Sequence, residues 1–190
     1  MMKFALLVCA AYGATICGAL AADIEYPKQA YDATYTSTGP TGSTTLRMCS
    51  DGKGHMRTET NAAGQKIVSI SDYPAKMAYS IMEAQKMVMK VPLKAAPQVQ
   101  DAESAKKANA KDLGIKVVNG HPSHGWEYTS SGGKVQTWIG EDTHCLVKSE
   151  TTTSSGKMTM DLKTYNGATP AEAMFKVPST GYKVMSVPGT

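Results

Sequence analysis

Methionine recurs at alternate positions in the segment SIMEAQKMVMKVPL, which spans Ser80–Leu93. In an extended strand, successive side chains point to opposite faces of the sheet, so Met87, Met89 and Val91 are predicted to share one face. Thioether sulfur is soft and polarizable, and the unbranched methionine side chain repacks around partners of varied shape. Two kinds of chemistry suit such a face: contact with an apolar ligand, and ligation of a soft metal ion such as Cu(I).

Two further segments, around Met77–Ile81 and Met158–Leu162, show the same alternation. The chain contains 12 methionines but only 2 phenylalanines and 2 tryptophans, so methionine supplies bulk that aromatic residues usually provide. Apolar residues at alternate positions are also typical of an ordinary sheet core. The pattern therefore leaves open a ligand-binding face and a structural protein with no ligand. The candidate ligand-binding residues are Met77, Tyr79, Ile81, Met87, Met89, Val91, Met158, Met160 and Leu162.

The alternative metal site combines thioethers with imidazoles. His121 and His124 lie close together in HPSH. Their ring nitrogens could ligate Cu(I) together with the thioether sulfurs of Met87 and Met89. This spacing matches no recognised closed site. Ser123 lies between the two histidines, but a proline-containing turn explains this segment more simply than a catalytic triad.

Motifs of enzymatic chemistry are missing from the sequence. It contains no nucleophile elbow, phosphate-binding loop or paired metalloprotease histidines. We therefore expect a non-enzymatic protein that needs no cofactor. The formal net charge of +4 is small, and the lysines are spread along the chain. This distribution excludes the basic stripe of a nucleic-acid-binding protein.

The first residues have the three parts of a secretory signal peptide. Met1–Lys3 is positively charged, Phe4–Ile16 is uncharged, and Ala19–Ala21 is a small-residue cleavage pattern. The sequence thus predicts a signal peptide over residues 1–21 and one mature domain over residues 22–190, exported to the periplasm or beyond the cell. A retained membrane anchor is disfavoured because the apolar run is short for a bilayer.

Removal of this leader leaves two cysteines, Cys49 and Cys145. In an oxidising compartment they are candidates for a disulfide, and the alternative is two buried thiols. Such a bond would close a loop of roughly 100 residues and add at most about 4–5 kcal/mol on the chain-entropy model. Lipidation at Cys17 is disfavoured because Ile16 occupies the position where a lipobox needs a small residue.

Strands are the elements that must position these residues. From Glu25 onward, runs such as STTLRMCSDGKGHMRTET and QKIVSISD alternate, with DGKG as a hairpin turn. KMVMKVPL forms another strand, ended by Pro92. Short turns between about nine or ten such strands predict an antiparallel meander.

The alternation stops in the Ala/Lys-rich segment over residues 94–114. Its composition allows a marginal crossover helix from about Asp101 to Leu113, or a flexible crossover. A lid over a binding face is the functional alternative for this segment. One further helical turn is predicted at Pro170–Met174, with Thr169 as its cap, before a last strand through Val184.

The order of these segments resembles a known family. MEAQKMVMKVP and the Ala/Lys crossover precede VNGHPSHGWEY, GGKVQTWIGEDTHCLVKSE and FKVPSTGYKV. Over Tyr31–Val184 this succession resembles an uncharacterised family of methionine-rich exported bacterial proteins, itself similar to the LolA- and LppX-like periplasmic lipoprotein carriers. The resemblance implies a mainly β fold of the α+β type, a curved antiparallel half-barrel whose concave side holds acyl chains.

The same resemblance implies the class of partner. An apolar ligand is expected, whether a lipid, an acyl chain or a lipidated protein, with transient contact to the envelope membrane or to a lipoprotein.

Overall fold

The computed structural model describes residues 24–62, 64–93, 98–130 and 133–186, so the predicted signal peptide over residues 1–21 lies outside the described residues. Within these ranges, 12 strands form one sheet. The strands are β1 Ala30–Gly39, β2 Gly42–Asp51, β3 His55–Ala62, β4 Gln65–Asp72, β5 Met77–Met82, β6 Met87–Pro92, β7 Lys111–Val118, β8 His121–Ser130, β9 Gly133–Gly140, β10 Leu146–Thr153, β11 Gly156–Asn166 and β12 Lys183–Ser186.

The sheet is an open, curved half-barrel, as the sequence predicted, with more strands than the expected nine or ten. Its order is β12-β6-β5-β4-β3-β2-β1-β11-β10-β9-β8-β7. Hairpins connect β1 through β6 on one side and β7 through β11 on the other, and the pairing of β1 with β11 joins the two halves. All described pairs are antiparallel except β12 with β6, which is parallel.

The crossover contains one short helix, α1, over Ala102–Lys107. Asp101 caps it, because its side chain accepts a hydrogen bond of 2.8 Å from the backbone N–H of Ser104. Asn109 has a φ of 49°, a left-handed conformation that ends the helix. The prediction of a helix reaching Leu113 was therefore wrong at its C-terminal end, since β7 already begins at Lys111.

The second predicted helical turn is displaced by about two residues. A 3-10 helix spans Glu172–Phe175, and its N-cap is Ala171, which makes no side-chain capping hydrogen bond. The prediction of Thr169 as the cap was wrong. Packing accounts for the position, since Phe175 is buried and Arg57 of β3 donates a hydrogen bond of 3.1 Å to the Met174 carbonyl.

Helix α1 bridges two distant parts of the sheet. Ala105 packs with Trp126 of β8 and Ile139 of β9. Lys107 lines one cleft with Tyr73 of the β4–β5 turn. In a flat sheet, β4 and β9 would lie six strand spacings apart, roughly 29 Å, whereas the helix is roughly 9 Å long. The sheet therefore curls toward the face on which α1 lies.

The segment between β11 and β12, here called the C-terminal segment, covers part of the face opposite α1 through Val177 and Tyr182. Val68, Ile70, Ile81 and Val88 form a buried cluster there, and partly buried side chains of the segment after β11 pack against it. This cover explains how apolar residues of β4–β6 become core on the side away from α1.

The expected disulfide is not formed, because Cys49 and Cys145 are both free and buried thiols. Cys49 lies in β2 and Cys145 directly precedes β10, with β1 and β11 between these strands. Three strand spacings amount to roughly 14 Å, twice the limit of about 7 Å between the Cα atoms of bonded cysteines. The prediction of a bond between them is corrected accordingly.

We expect both thiols to resist alkylation in the native protein and to react in denaturant without prior reduction. They are 0% and 1% exposed, and burial raises the pKa of Cys49 to about 12 and also raises that of Cys145. Intact mass and peptide mapping after alkylation measure this. A denatured protein in which Cys49 and Cys145 react only after reduction would contradict it.

Candidate functional site

Strand register places most of the described methionines on one face of the sheet. Met48 of β2 pairs with Thr58 of β3, and Met82 of β5 pairs with Met87 of β6. Following these pairs across the sheet assigns eight methionines to the face that we call the methionine face. They are Met48, Met56, Met82, Met87, Met89, Met158, Met160 and Met185.

The methionine face is the concave side of the half-barrel. Trp126 pairs with Thr137, Thr137 with Ser149, and Ser149 with Met160, so Trp126 and Met160 share this face. Helix α1 packs on Trp126, and the sheet curls toward α1. The methionines therefore line the hollow.

Charged residues are confined to the opposite face over most of the sheet. In β1–β6 and β9–β11, every charged residue that is paired with a residue of a neighbouring strand lies on the convex side. The methionine face of these nine strands carries aliphatic, thioether, aromatic and uncharged polar residues instead. A solvent-facing sheet surface normally carries charged residues. The centre of this face is instead protein core, where Tyr35 and Leu162 are 0% and 5% exposed, and Met48 and Met160 pack against that core while staying half-buried.

Several charged residues on the convex side form ion pairs with one another. Arg47 donates to both carboxylate oxygens of Asp32, with a distance of 2.8 Å from Nε to Oδ1. The hydrogen bond from Arg47 lowers the pKa of Asp32. Glu150 accepts from Lys157 at 2.7 Å, and this contact lowers the pKa of Glu150.

Small hydroxyl residues form the floor of the hollow between two methionines. One row across the sheet reads Met48, Thr58, Ser69, Ser80 and Met89. All five are half-buried. The row crosses four strand spacings, roughly 19 Å. We call this row of three small residues between two longer side chains the trough, and its length matches that of an extended acyl chain.

Aromatic residues and α1 close one end of this hollow. The Tyr73 hydroxyl donates to the Met56 sulfur at 3.6 Å, and the Tyr26 and Tyr73 rings lie 5.6 Å apart. Lys107 of α1 contacts Glu25 at 2.7 Å. Near the turn between β10 and β11, Met158 is 43% exposed. The crossover therefore leaves that part of the methionine face open.

The structure places six of the nine predicted site residues on one face, three on β6 and three on β11, with five strands between them. Met87, Met89, Val91, Met158, Met160 and Leu162 lie on the methionine face. Met77, Tyr79 and Ile81 lie on the opposite face, where Ile81 belongs to the buried cluster under the C-terminal segment. The reason is the four-residue turn after β5, which pairs Met82 with Met87. Even-numbered residues of β5 therefore share a face with odd-numbered residues of β6, and the odd-numbered residues of β5 lie on the opposite face.

Four methionines of the face were absent from the sequence-based candidate set: Met48, Met56, Met82 and Met185. The signal for Met48 is its alternation with Leu46 in β2. Met185 had no local signal, because its facing depends on the parallel pairing of β12 with β6.

The histidines of the alternative metal site lie far from the methionines proposed with them. His121 Nδ1 lies 2.8 Å from Asp142, and His124 Nε2 lies 2.8 Å from Asp112. Eight strands separate β8 from β6 in the sheet, so these imidazoles do not join Met87 and Met89. Within the ranges that the structure describes, no group of three or more His, Cys, Asp or Glu residues is arranged to hold a metal.

Solved structures to which this chain is similar include the following three. An uncharacterised conserved protein from Thermus thermophilus has a TM-score of 0.63 and 12% identity over 84% of this chain and 91% of that one. MucB, in complex with MucA(peri), has a TM-score of 0.50 and 17% identity over 85% of this chain and 58% of that one. A LolA superfamily protein from Nitrosomonas europaea has a TM-score of 0.41 and 10% identity over 82% and 93%.

At 12% and 17% identity, the likenesses with TM-scores of 0.63 and 0.50 show a shared fold alone. The chain belongs to the family described as a domain of unknown function (DUF4412), which matches residues 34–147. The family match agrees with the resemblance to an uncharacterised family. No match was found among curated proteins. Neither helical segment in the described ranges has the length and hydropathy needed to cross a bilayer.

We expect the convex ion pairs to contribute stability that is lost in acid. A lowered carboxyl pKa stabilises the folded state above the unfolded-state pKa near 4, and this contribution disappears as pH falls through the folded-state pKa. Replacing Arg47 with Gln should therefore cost about 0.5–1 kcal/mol at pH 7 and little at pH 2. Urea unfolding at both pH values measures the difference, with Lys163→Gln as a charge-matched control. An equal cost at both pH values would contradict the assignment to Asp32 ionisation.

Proposed function

We propose that this protein is an exported, non-catalytic binding protein that holds an apolar ligand on its methionine face. The preferred ligand is a lipid, an acyl chain or the acyl group of a lipidated protein. The observation that carries the proposal is the segregation of side chains, with thioethers on the concave face and the charges of nine strands on the other. Export follows from the predicted signal peptide over residues 1–21.

The energetics of the trough suit reversible binding. Each buried methylene contributes about 0.8 kcal/mol, so ten methylenes set an upper limit of about 8 kcal/mol, a Kd of about 1 μM. Ordering of the chain and of the methionines reduces this value. Because methionine has three rotatable bonds, the walls can adapt to chains of different length and saturation.

A protein segment is the second candidate occupant. MucB, which shares this fold, has been solved in complex with MucA(peri). A half-barrel of this kind can therefore take part in a protein–protein complex, and the uncharged concave face would accept an apolar peptide segment by the same contacts. Ligand identification from the purified protein separates these occupants, since lipid and peptide differ in extraction and mass.

The proposal predicts that two charges in the hollow abolish lipid uptake. Met87→Asp with Met160→Asp should weaken binding of a fluorescent fatty acid by at least about tenfold, because an apolar chain would have to desolvate the carboxylates. Fluorescence titration measures the affinity, and circular dichroism with urea unfolding checks the fold.

Two control variants make this test specific. Met87→Leu with Met160→Leu keeps the apolar volume and should retain binding. Ser43→Asp with Thr164→Asp adds the same charge at exposed convex positions and should also retain it. Wild-type affinity in a folded Met87→Asp, Met160→Asp variant would overturn the proposal.

A further inference from the structure

We propose that Met82, Met87, Met89 and Met185 form a Cu(I)-binding site, here called the thioether cluster, at the β12 edge of the methionine face. This inference goes beyond apolar-ligand binding and does not depend on it. The register of three neighbouring strands carries it, since β5, β6 and β12 bring the four residues side by side on one face.

The spacing of the cluster follows from its pairing. Met82 lies directly opposite Met87 across the β5–β6 hairpin, which places their Cβ atoms about 5 Å apart. Met87 and Met89 are two residues apart on β6, roughly 7 Å along the strand. Met89 pairs with Met185 of β12, one strand spacing of roughly 5 Å away.

These distances allow several sulfurs to converge on one ion. Taking the first three Cβ atoms as a right-angled triangle, a point equidistant from them lies roughly 4 Å from each. The Cβ–Cγ–Sδ arm of methionine and one metal–sulfur bond can cover that distance. Met82, Met87 and Met89 thus supply three ligands, and Met185 is within reach as a fourth or as the residue that receives an arriving ion.

The donor set selects for a soft monovalent ion. Thioethers suit Cu(I), whereas Mg²⁺ and Ca²⁺ require oxygen ligands such as carboxylates. The methionine face of β5 and β6 carries no charged residue with a register partner, and the nearest polar neighbour of Met89 on β5 is the hydroxyl residue Ser80. Hard divalent cations therefore have no carboxylate ligand there.

Exposure distinguishes the cluster from ordinary core. Met82, Met87 and Met89 are only half-buried, and Met185 is 45% exposed. An ion can reach these sulfurs without unfolding of the sheet. Lys183, which pairs with Met87, is an exposed cation beside the cluster. Its charge opposes a bound cation, so Lys183→Met should tighten binding by removing that charge and adding a thioether.

The test is anaerobic titration with Cu(I), kept reduced by ascorbate and held in competition with a chromogenic Cu(I) chelator. We expect one Cu(I) per chain, no Zn²⁺ binding, and at least about a tenfold loss of Cu(I) affinity in Met82→Leu, Met87→Leu, Met89→Leu. The matched control is Met48→Leu, Met158→Leu, Met160→Leu, which should retain wild-type affinity. Cu(I) affinity is measured without added lipid, so its outcome does not depend on the previous proposal.

A spectroscopic readout locates the ion. With methyl-¹³C methionine and Ag⁺ as a diamagnetic soft substitute, the methyl resonances of the thioether cluster should shift and those of Met158 and Met160 should not. Unchanged Cu(I) affinity in the triple variant of the cluster, or shifts confined to methionines outside it, would overturn the proposal.

Discussion

Register between neighbouring strands is the constraint on which the rest of this molecule depends. Alternation divides each strand into two sets of side chains, and cross-strand pairing decides which sets add up across the sheet. Over nine strands this pairing gathers thioether, aliphatic, aromatic and uncharged polar side chains on one face and charged side chains on the other. A slip of one residue in a single hairpin would put charge into the hollow, so side-chain segregation and register support each other.

The curvature turns this segregation into a site. A short α1 that contacts both β8–β9 and the cleft beside the β4–β5 turn requires the sheet to bend toward the methionines. The same helix and the Tyr26–Tyr73 contact cover one end of the concave side, and its centre is core, where Tyr35 and Leu162 are 0% and 5% exposed. On the convex side the C-terminal segment covers Val68, Ile70 and their neighbours. The protein thus covers one apolar surface with its own chain and leaves the concave one incompletely covered.

The two proposals use different properties of the same side chains. An apolar ligand needs the volume and pliability of methionine, which leucine largely reproduces, whereas Cu(I) needs the sulfur atom itself. The face can therefore have been shaped by either demand, or by both at different positions. The cluster at the β12 edge is where thioethers are adjacent, while the central rows place hydroxyl residues between them.

The sequence by itself determined most of the strands and their alternation, because hydrophobic period and turn residues are local signals. The half-barrel class was implied by the family resemblance. The sequence also identified six of the nine candidate residues that prove to share the concave face. Tertiary structure decided the rest. The four-residue turn after β5 reversed the facing of Met77, Tyr79 and Ile81, the sheet order separated Cys49 from Cys145, and the parallel pairing of β12 brought Met185 beside Met89. Each of these depends on which strands become neighbours and in what register, and that information lies in contacts between residues distant along the chain.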